Sequence, residues 1–310
     1  MRVAGAPISW GVCEVPGWGH QLDPDRVLTE MRDVGLAATE LGPDGFLPDA
    51  PADKAALLER YGLKAVGGFV PVVLHDRDHD PRPAVDRALD GLVAAGATTV
   101  VLAAATGVDG YNTRPAIDAL GWRTLLANLD HLTGIAAARG VTATLHPHVG
   151  TMIERPDEVE RILDGCDVPL CLDTGHLLIG GTDPAALARE ASDRIAHAHL
   201  KDVDGAWAER VRTGATSYTE AVAQGMYRPL GQGDVDVAGI AAALSGAGYA
   251  GWYVLEQDTV LTAEPPPGAG PVEDVRASLE YLRIGRLRAQ RSGARGQAAG
   301  TMGDKVAPWT

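Results

Sequence analysis

The stretch VTATLHPHVGTMIERPDEVERILDGCDVPLCLD, residues 141–173, decides the fold. Its first eight residues are mostly β-branched or apolar and predict a strand, while PDEVERILDG has the apolar spacing of a helix. PLCLD is again a short apolar run, which is typical of a buried strand. A strand, a helix and a strand in this order predict two parallel strands joined by a helical crossover.

The same unit repeats on both sides of this stretch. Strands are predicted at RVAGAPISW, AATELG, KAVGGFVPVVL and TTVVLAA before it, and at IAHAHLK and GWYVLE after it, each followed by a helical pattern. Eight such units in 310 residues predict a single (β/α)₈ TIM barrel, since that fold typically takes about 250 residues. No GxGxxG follows the first strand, which disfavours an open dinucleotide-binding sheet.

One domain accounts for most of the chain. The barrel is expected to occupy residues 1–290, and the Gly/Ala-rich segment 291–310 is expected to be a disordered tail or an arm that docks on a neighbouring subunit. The connection at residues 203–233 is long for a barrel loop. Long loops without regular structure are usually functional, so we expect this one to cover the active site.

Composition limits the classes of partner. The formal net charge of −14 disfavours nucleic acid and anionic membranes, because both are bound through basic surfaces. Three cysteines without a CxxC spacing indicate a reducing compartment rather than a disulfide framework. With no signal peptide and no apolar run of roughly 20 residues, a cytoplasmic protein is expected.

Ionisable residues gather at the predicted carboxyl ends of the strands, where barrel enzymes place their active sites. They are Glu40, His146, His148, Asp173, His197, His199, Lys201 and Glu256. A lone histidine or an aspartate that caps a helix is usually structural. The whole cluster favours a metal or catalytic site, because burying so many unpaired ionisable groups is costly.

Several motifs resemble the xylose-isomerase-like barrel superfamily of sugar isomerases, epimerases and dehydratases. They are CLDTGHLLIGGTDP, HAHLKDVDG, PLGQGDVDV and YVLEQD. The opening ISWGVCEVPGWG, together with TELGPDGFLP and LHPHVGTMIE, is similar to the inosose dehydratase branch, which acts in inositol breakdown. The resemblance covers roughly residues 3–285.

This resemblance implies a metal site with four protein ligands. Asp173, His199 and Glu256 match three of them, and the fourth in the superfamily is a glutamate on strand five. Here that position is His146, so either His146 binds the metal or Glu154 replaces the missing carboxylate. Carboxylates and imidazoles suit Mn²⁺, which is the expected ion, and also Co²⁺, Mg²⁺ or Zn²⁺.

The reaction implied by the branch is removal of water from 2-keto-myo-inositol (inosose) through a metal-stabilised enolate. Proton transfer is assigned to Glu256 or Glu154, with His148 or His176 as the partner acid. Substrate contacts are expected from Trp10, Glu40, Lys201 and Arg228, although each of these also has a purely structural interpretation. The glycines of GQGD are expected to form a tight turn rather than a phosphate site.

Three alternatives remain open. A ketose 3-epimerase or an aldose–ketose isomerase would use the same enolate chemistry on the same metal. A repair endonuclease of the superfamily needs further histidines, and only His75 after strand three is available, so this class is disfavoured. A non-catalytic carbohydrate-binding barrel is the third. The dehydratase, epimerase and isomerase interpretations all predict a small cyclitol or sugar as the substrate. A homodimer or homotetramer is expected of such barrels.

Overall fold

The computed structural model describes residues 1–300, with side chains as far as residue 285. A nine-stranded sheet, parallel throughout its pairings, curls until its first and last strands in the chain pair, with Arg2 opposite Trp252 and Gly5 opposite Leu255. Its strands are β1 (Arg2–Gly5), β2 (Ala38–Glu40), β3 (Lys64–Gly67), β4 (Phe69–Val73), β5 (Thr99–Ala105), β6 (Thr142–Leu145), β7 (Leu170–Asp173), β8 (Ile195–Leu200) and β11 (Trp252–Leu255). A separate antiparallel ribbon joins β9 (Asp202–Val203) to β10 (Tyr227–Arg228).

The nine segments occupy the eight strand positions of a barrel because the third strand is divided. A single strand was predicted over KAVGGFVPVVL, but β3 pairs only with β2 and β4 pairs only with β5, with Gly68 between them. The break leaves the barrel nearly closed. The predicted TIM barrel is therefore confirmed, with this one interruption.

Helices cover the outside of the sheet and connect its strands. They are α1 (Pro24–Asp33), α2 (Pro51–Arg60), α3 (Arg82–Ala94), α4 (Ala119–Ala138), α5 (Pro156–Gly165), α6 (Thr174–Gly180), α7 (Pro184–Glu190), α8 (Gly205–Arg212), α9 (Tyr218–Ala223), α10 (Val237–Gly246) and α11 (Pro271–Gly300). Within residues 1–300, no helix is long and apolar enough to cross a membrane.

Helices of the barrel bury apolar faces, and α1 is an example. In α1 the side chains of Val27, Leu28 and Met31 are fully buried, and Asp23 caps the helix by accepting a hydrogen bond from Arg26 N at 2.9 Å. Burying a Val, Leu or Met side chain contributes roughly 1.5–3 kcal/mol. The apolar faces of the helices thus stabilise the sheet. The polar residues at the carboxyl ends of the strands lie at one end of this core.

Two predictions about the elements differ from the structure. The first strand ends at Gly5, and residues Pro7–Trp10 form a 3₁₀ helix, which Pro7 starts and which ends at Gly11 with a φ of 79°. The connection at 203–233 is not irregular, since it contains α8, α9 and the ribbon. The predicted tail at 291–310 lies outside the residues whose side chains are described and stays a prediction.

Candidate active site

The carboxyl ends of the strands surround a cavity. Part of its wall is polar and consists of Glu40, His146, His148, His176, Lys201, Glu256 and Asp258. These residues come from strands that are far apart in the chain, and only closure of the barrel brings them together. The predicted convergence of ionisable residues at this end is therefore what the structure shows.

Potential metal ligands lie together beside this wall. They are Asp173 of β7, His199 of β8, Glu256 directly after β11 and His146 directly after β6. His199 Nδ1 lies 3.2 Å from Glu256 Oε2 and 3.6 Å from Asp173 Oδ2, and His146 Nε2 lies 3.3 Å from the same Asp173 oxygen. Asp173, His199 and Glu256 each offer one ligand atom within 4.8 Å of the others. All four residues are buried.

The hydrogen bonding of these side chains fits a cation. Asp173 Oδ1 accepts from the backbone N–H groups of Gly175 and His176 at 2.9 and 2.8 Å, and so caps α6. Asp173 Oδ2, His199 Nδ1 and His146 Nδ1 are buried without a hydrogen-bond partner, which is rare in folded proteins. Two carboxylates and two imidazoles are ligand types that suit a divalent ion.

Glu154 does not join this group. Its carboxylate accepts a hydrogen bond from Gly150 N at 2.7 Å and lies 3.6 Å from Arg114 Nε, and it is not part of the cavity wall. The turn at residues 150–153 directs the side chain towards Arg114. Of the two residues predicted for the fourth ligand position, the structure brings His146 to the site, and it gives Glu154 no route to a proton-transfer role.

Glu40 connects two histidines of β8. Its Oε1 accepts from His197 Nε2 at 2.8 Å and from His199 Nε2 at 3.1 Å, and all three side chains are buried. Burial would raise the pKa of the Glu40 carboxyl, but His199 and His197 together hold it below its ordinary value. The carboxylate is therefore ionised and accepts hydrogen bonds from two histidines, whereas the sequence predicted that Glu40 contacts the substrate.

Lys201 is buried in a cluster of carboxylates. Its Nζ lies 2.8 Å from Glu256 Oε2 and 3.8 Å from Asp173 Oδ2, and it donates a hydrogen bond to Asp258. Burial would lower the pKa of Lys201, but Asp258, Glu256 and Asp173 raise it well above its ordinary value. Burial likewise raises the pKa of Glu256, which His199 and Lys201 then lower to about 2.

Asp258 extends this cluster towards the long connection. Tyr218 of α9 donates to Asp258 Oδ2 at 2.5 Å, and the Tyr218 and Tyr227 hydroxyls lie 3.0 Å apart. The long connection at residues 203–233 therefore contributes to the site through the hydrogen bond from Tyr218 to Asp258. Asp258, the last residue of the YVLEQD motif, and the two tyrosines were given no role from the sequence, since only folding of the long connection brings them together.

His148 and His176 stack on each other, with ring centroids 3.6 Å apart. His148 Nδ1 lies 2.7 Å from Val149 O, and His176 Nε2 is buried without a hydrogen-bond partner. Burial lowers the pKa of both histidines well below the ordinary value, and a neighbouring ring lowers it further, His146 for His148 and His148 for His176. Both imidazoles are therefore neutral near pH 7.

The opposite part of the cavity wall is apolar. Aromatic rings at this wall are Trp18, Phe69 and Tyr111, and the Tyr111 ring lies 4.4 Å from the His148 ring. The Tyr111 hydroxyl donates to Glu14, which ties the loop after β5 to the loop after β1. Sequence analysis missed these rings, although an aromatic residue in the polar turn GVDGYN is a usable signal.

Two residues predicted to contact substrate, Trp10 and Arg228, lie outside the main cavity wall. Trp10 is fully buried in the core, and its Nε1 donates to Glu30 Oε2 at 2.9 Å, so it stabilises the contact with α1. Arg228 Nη2 lies 3.3 Å from Asp204 Oδ2 and is not part of the main cavity wall. His75, which the endonuclease alternative requires, is also absent from that wall.

The GQGD segment is held by a buried aspartate. Asp202 accepts hydrogen bonds from the backbone N–H groups of Gly231, Gly233, Val235 and Val203 at 2.7–3.0 Å. The segment thus forms a compact turn around a carboxylate, in agreement with the predicted tight turn. The same bonds fix β10 and with it Tyr227.

The family model described as "Xylose isomerase-like TIM barrel" matches residues 28–284. The chain belongs to this family. It is 34% identical over 303 residues to the rhizopine catabolism protein MocC of Rhizobium meliloti, covering 95% of this chain and 89% of that protein. It is 31% identical over 295 residues to the inosose dehydratase of Geobacillus kaustophilus, covering 91% and 94% of the two chains.

Solved structures agree on the fold. The structure of an L-ribulose 3-epimerase superposes with a TM-score of 0.66 at 16% identity and covers 99% of both chains. At that identity the likeness concerns the fold alone. The xylose-isomerase-like resemblance read from DTGH and HLKD is therefore confirmed by the family match and by the architecture.

Proposed function

We propose that this protein is a metal-dependent dehydratase that removes water from a cyclic polyhydroxy ketone, with 2-keto-myo-inositol (inosose) as its substrate in inositol catabolism. At the level of reaction class, the relatives named inosose dehydratase confirm the predicted lyase. The observation that carries the proposal is the convergence of Asp173, His199, Glu256 and His146 beside Lys201. Two of the converging atoms, Asp173 Oδ2 and His199 Nδ1, are buried without a hydrogen-bond partner.

The expected ion is Mn²⁺, with Co²⁺, Mg²⁺ or Zn²⁺ as alternatives, held by these four residues. When bound, a divalent cation would polarise the substrate carbonyl and make the neighbouring C–H bond more acidic. The chain's own charges support this assignment. Glu40, Asp173, Glu256 and Asp258 are buried carboxyl groups, and Lys201 is the only lysine or arginine among the described residues of the cavity wall.

His148 is the group best suited to remove the proton. Its imidazole is neutral near pH 7 and its Nδ1 donates to Val149 O at 2.7 Å, so the lone pair lies on Nε2. This adds a second role to the one expected from the sequence, where the histidine was the acid. Glu256, which the sequence also suggested for proton transfer, is a weaker candidate for the base, since a carboxylate with a pKa of about 2 has low proton affinity.

Lys201 is placed to serve the leaving group. As the C–H proton passes to His148 Nε2, its electron pair forms the new C=C bond while the C–O bond of the β-hydroxyl breaks. The departing oxygen accepts a hydrogen bond from the Lys201 ammonium, takes a proton from His148 and leaves as water. The apolar wall of Trp18, Phe69 and Tyr111 would face the C–H groups of the ring and limit access of solvent.

The test is an elimination assay on protein stripped with a chelator. Mn²⁺, Co²⁺, Mg²⁺ and Zn²⁺ are added back separately, and conversion of inosose is followed by the absorbance of the enolised dione. We expect turnover that depends on the ion and is lost in Asp173→Asn. Metal binding without turnover on inosose would overturn the dehydratase assignment and favour a ketose epimerase or isomerase, to be sought by substrate profiling.

A further inference from the structure

The strongest feature outside the ligand set is the contact of Glu40 with His197 and His199. Glu40 comes from β2, while both histidines project inward from β8. The Oε1 atom of Glu40 accepts from both Nε2 atoms, at 2.8 and 3.1 Å. A carboxylate shared by two imidazoles requires a proton on each Nε2, because an ionised carboxylate can only accept hydrogen bonds.

The consequence for His199 is a defined tautomer. With its proton on Nε2, the lone pair of a neutral His199 lies on Nδ1, the atom 3.2 Å from Glu256 Oε2 and 3.6 Å from Asp173 Oδ2. That Nδ1 atom is buried and has no hydrogen-bond partner. Glu40 therefore directs Nδ1 of His199 to the place where the two carboxylates converge.

The local fold makes room for this contact. The third barrel strand breaks at Gly67 and Gly68, and a Cβ atom on Gly67 would lie 3.1 Å from Glu40 Oε1. Glu40 has no lysine or arginine among its contacts within the side chains described, so its charge is compensated only through the histidines. A buried charge of this kind is costly unless a positive charge lies nearby.

We propose that Glu40 is a positioning residue that orients His199 as an Nδ1 ligand and whose charge is balanced by the cation, with His197 steadying its carboxylate. This inference rests on the metal site of the proposed function. Carboxylate partners of histidine ligands fix the ring and the tautomer, and their loss typically weakens metal affinity by about 10–100-fold.

The test measures Co²⁺ binding to the chelator-stripped full-length protein by its visible absorption, in wild type, Glu40→Gln and Glu40→Asp. Glu40→Gln keeps the shape and removes the charge, whereas Glu40→Asp keeps the charge and shortens the reach. We expect both variants to bind Co²⁺ about 10–100-fold more weakly and with an altered ligand-field spectrum. Thermal unfolding of the metal-free forms reports on folding.

Glu30→Gln is the matched control, because Glu30 is also a buried carboxylate that accepts several hydrogen bonds, from Trp10, Arg26 and Gly268. It should lower the stability of the metal-free protein and leave Co²⁺ affinity and spectrum unchanged. Wild-type affinity and spectrum in both Glu40 variants would overturn the inference while the metal site stands. Absence of Co²⁺ binding in wild type itself would overturn the metal-dependent function together with the inference.

Discussion

At the scale of single residues, Lys201 shows how strongly the site depends on charge balance. Its ammonium is 2% exposed and contacts Glu256 and Asp258, with Asp173 at 3.8 Å. Three carboxyl groups so close together repel one another in a medium of low dielectric constant. The lysine is therefore needed by the metal-free fold as well as by the proposed reaction.

We predict that Lys201→Met lowers the unfolding free energy of the metal-free protein by about 3–5 kcal/mol, since removing one partner leaves buried charges uncompensated. The measurement is denaturant unfolding in the presence of chelator. In the double variant Lys201→Met/Asp258→Asn, part of the loss should be recovered, because one of the repelling charges is gone. A purely additive double variant would contradict this view of Lys201.

At the scale of elements, the start of α5 depends on one carboxylate. Glu158 accepts hydrogen bonds from Arg114 Nη1 and from the backbone N–H groups of Glu154 and Arg155, at 2.8–2.9 Å. Burial would raise the pKa of Glu158, but these bonds, led by that of Arg114, lower it below the ordinary value. A carboxyl group whose pKa is lower in the folded state stabilises the fold above its unfolded pKa.

We predict that Glu158→Gln costs about 1–2 kcal/mol at pH 7, as expected for loss of charge-assisted hydrogen bonds. The stabilisation is complete above the unfolded pKa of about 4.3 and is lost as the pH falls through the lower folded value. The difference from wild type should therefore shrink between pH 5 and pH 3 in urea unfolding. The exposed Glu160→Gln, in the same helix, should show neither effect.

The turn around Asp202 is the second element that can be tested. A Cβ atom on Gly233 would lie 2.4 Å from Asp202 Oδ1 and 2.6 Å from Val203 O, so the close approach requires glycine. Gly246, in α10, has no atom within 4 Å of such a Cβ. Substitution by alanine is therefore expected to change the stability differently at these two glycines.

We predict that Gly233→Ala lowers the unfolding free energy by about 1–3 kcal/mol through overpacking. Gly246→Ala should be neutral or stabilising by up to about 1 kcal/mol, because alanine is the better helix former. Both values come from thermal or urea unfolding. Equal effects of the two substitutions would show that the turn at Asp202 is looser than its distances indicate.

At the scale of the whole molecule, the ligand residues belong to four strand positions on one side of a closed barrel. A cation bound there links β6, β7, β8 and β11. We predict that Mn²⁺ at 100 times its dissociation constant raises the unfolding free energy by about 2.7 kcal/mol and shifts the entire calorimetric transition. Asp173→Asn should show no shift, and a shift confined to part of the transition would contradict linkage of the strands.

The sequence predicts this architecture well because periodic patterns reflect burial. Alternation of strands and helices predicts the barrel. The position of polar residues at strand ends predicts Asp173, His199 and Glu256 as metal ligands. Residues whose role depends on a distant partner were not predictable. Glu154 is drawn away by Arg114 and Arg228 by Asp204, while Trp10 reads like a pocket wall until the 3₁₀ helix places it in the core.

The carboxylate of Asp202 has a consequence for metabolic selectivity. In many barrels the loops after the seventh and eighth strands hold a phosphate group with free backbone N–H groups. Here Asp202 already receives the N–H groups of Gly231, Gly233 and Val235, so an incoming phosphate ester would meet a negative charge and no donors. We expect the enzyme to ignore the phosphorylated sugars that dominate central metabolism and to draw only on the pool of free polyols and ketoses.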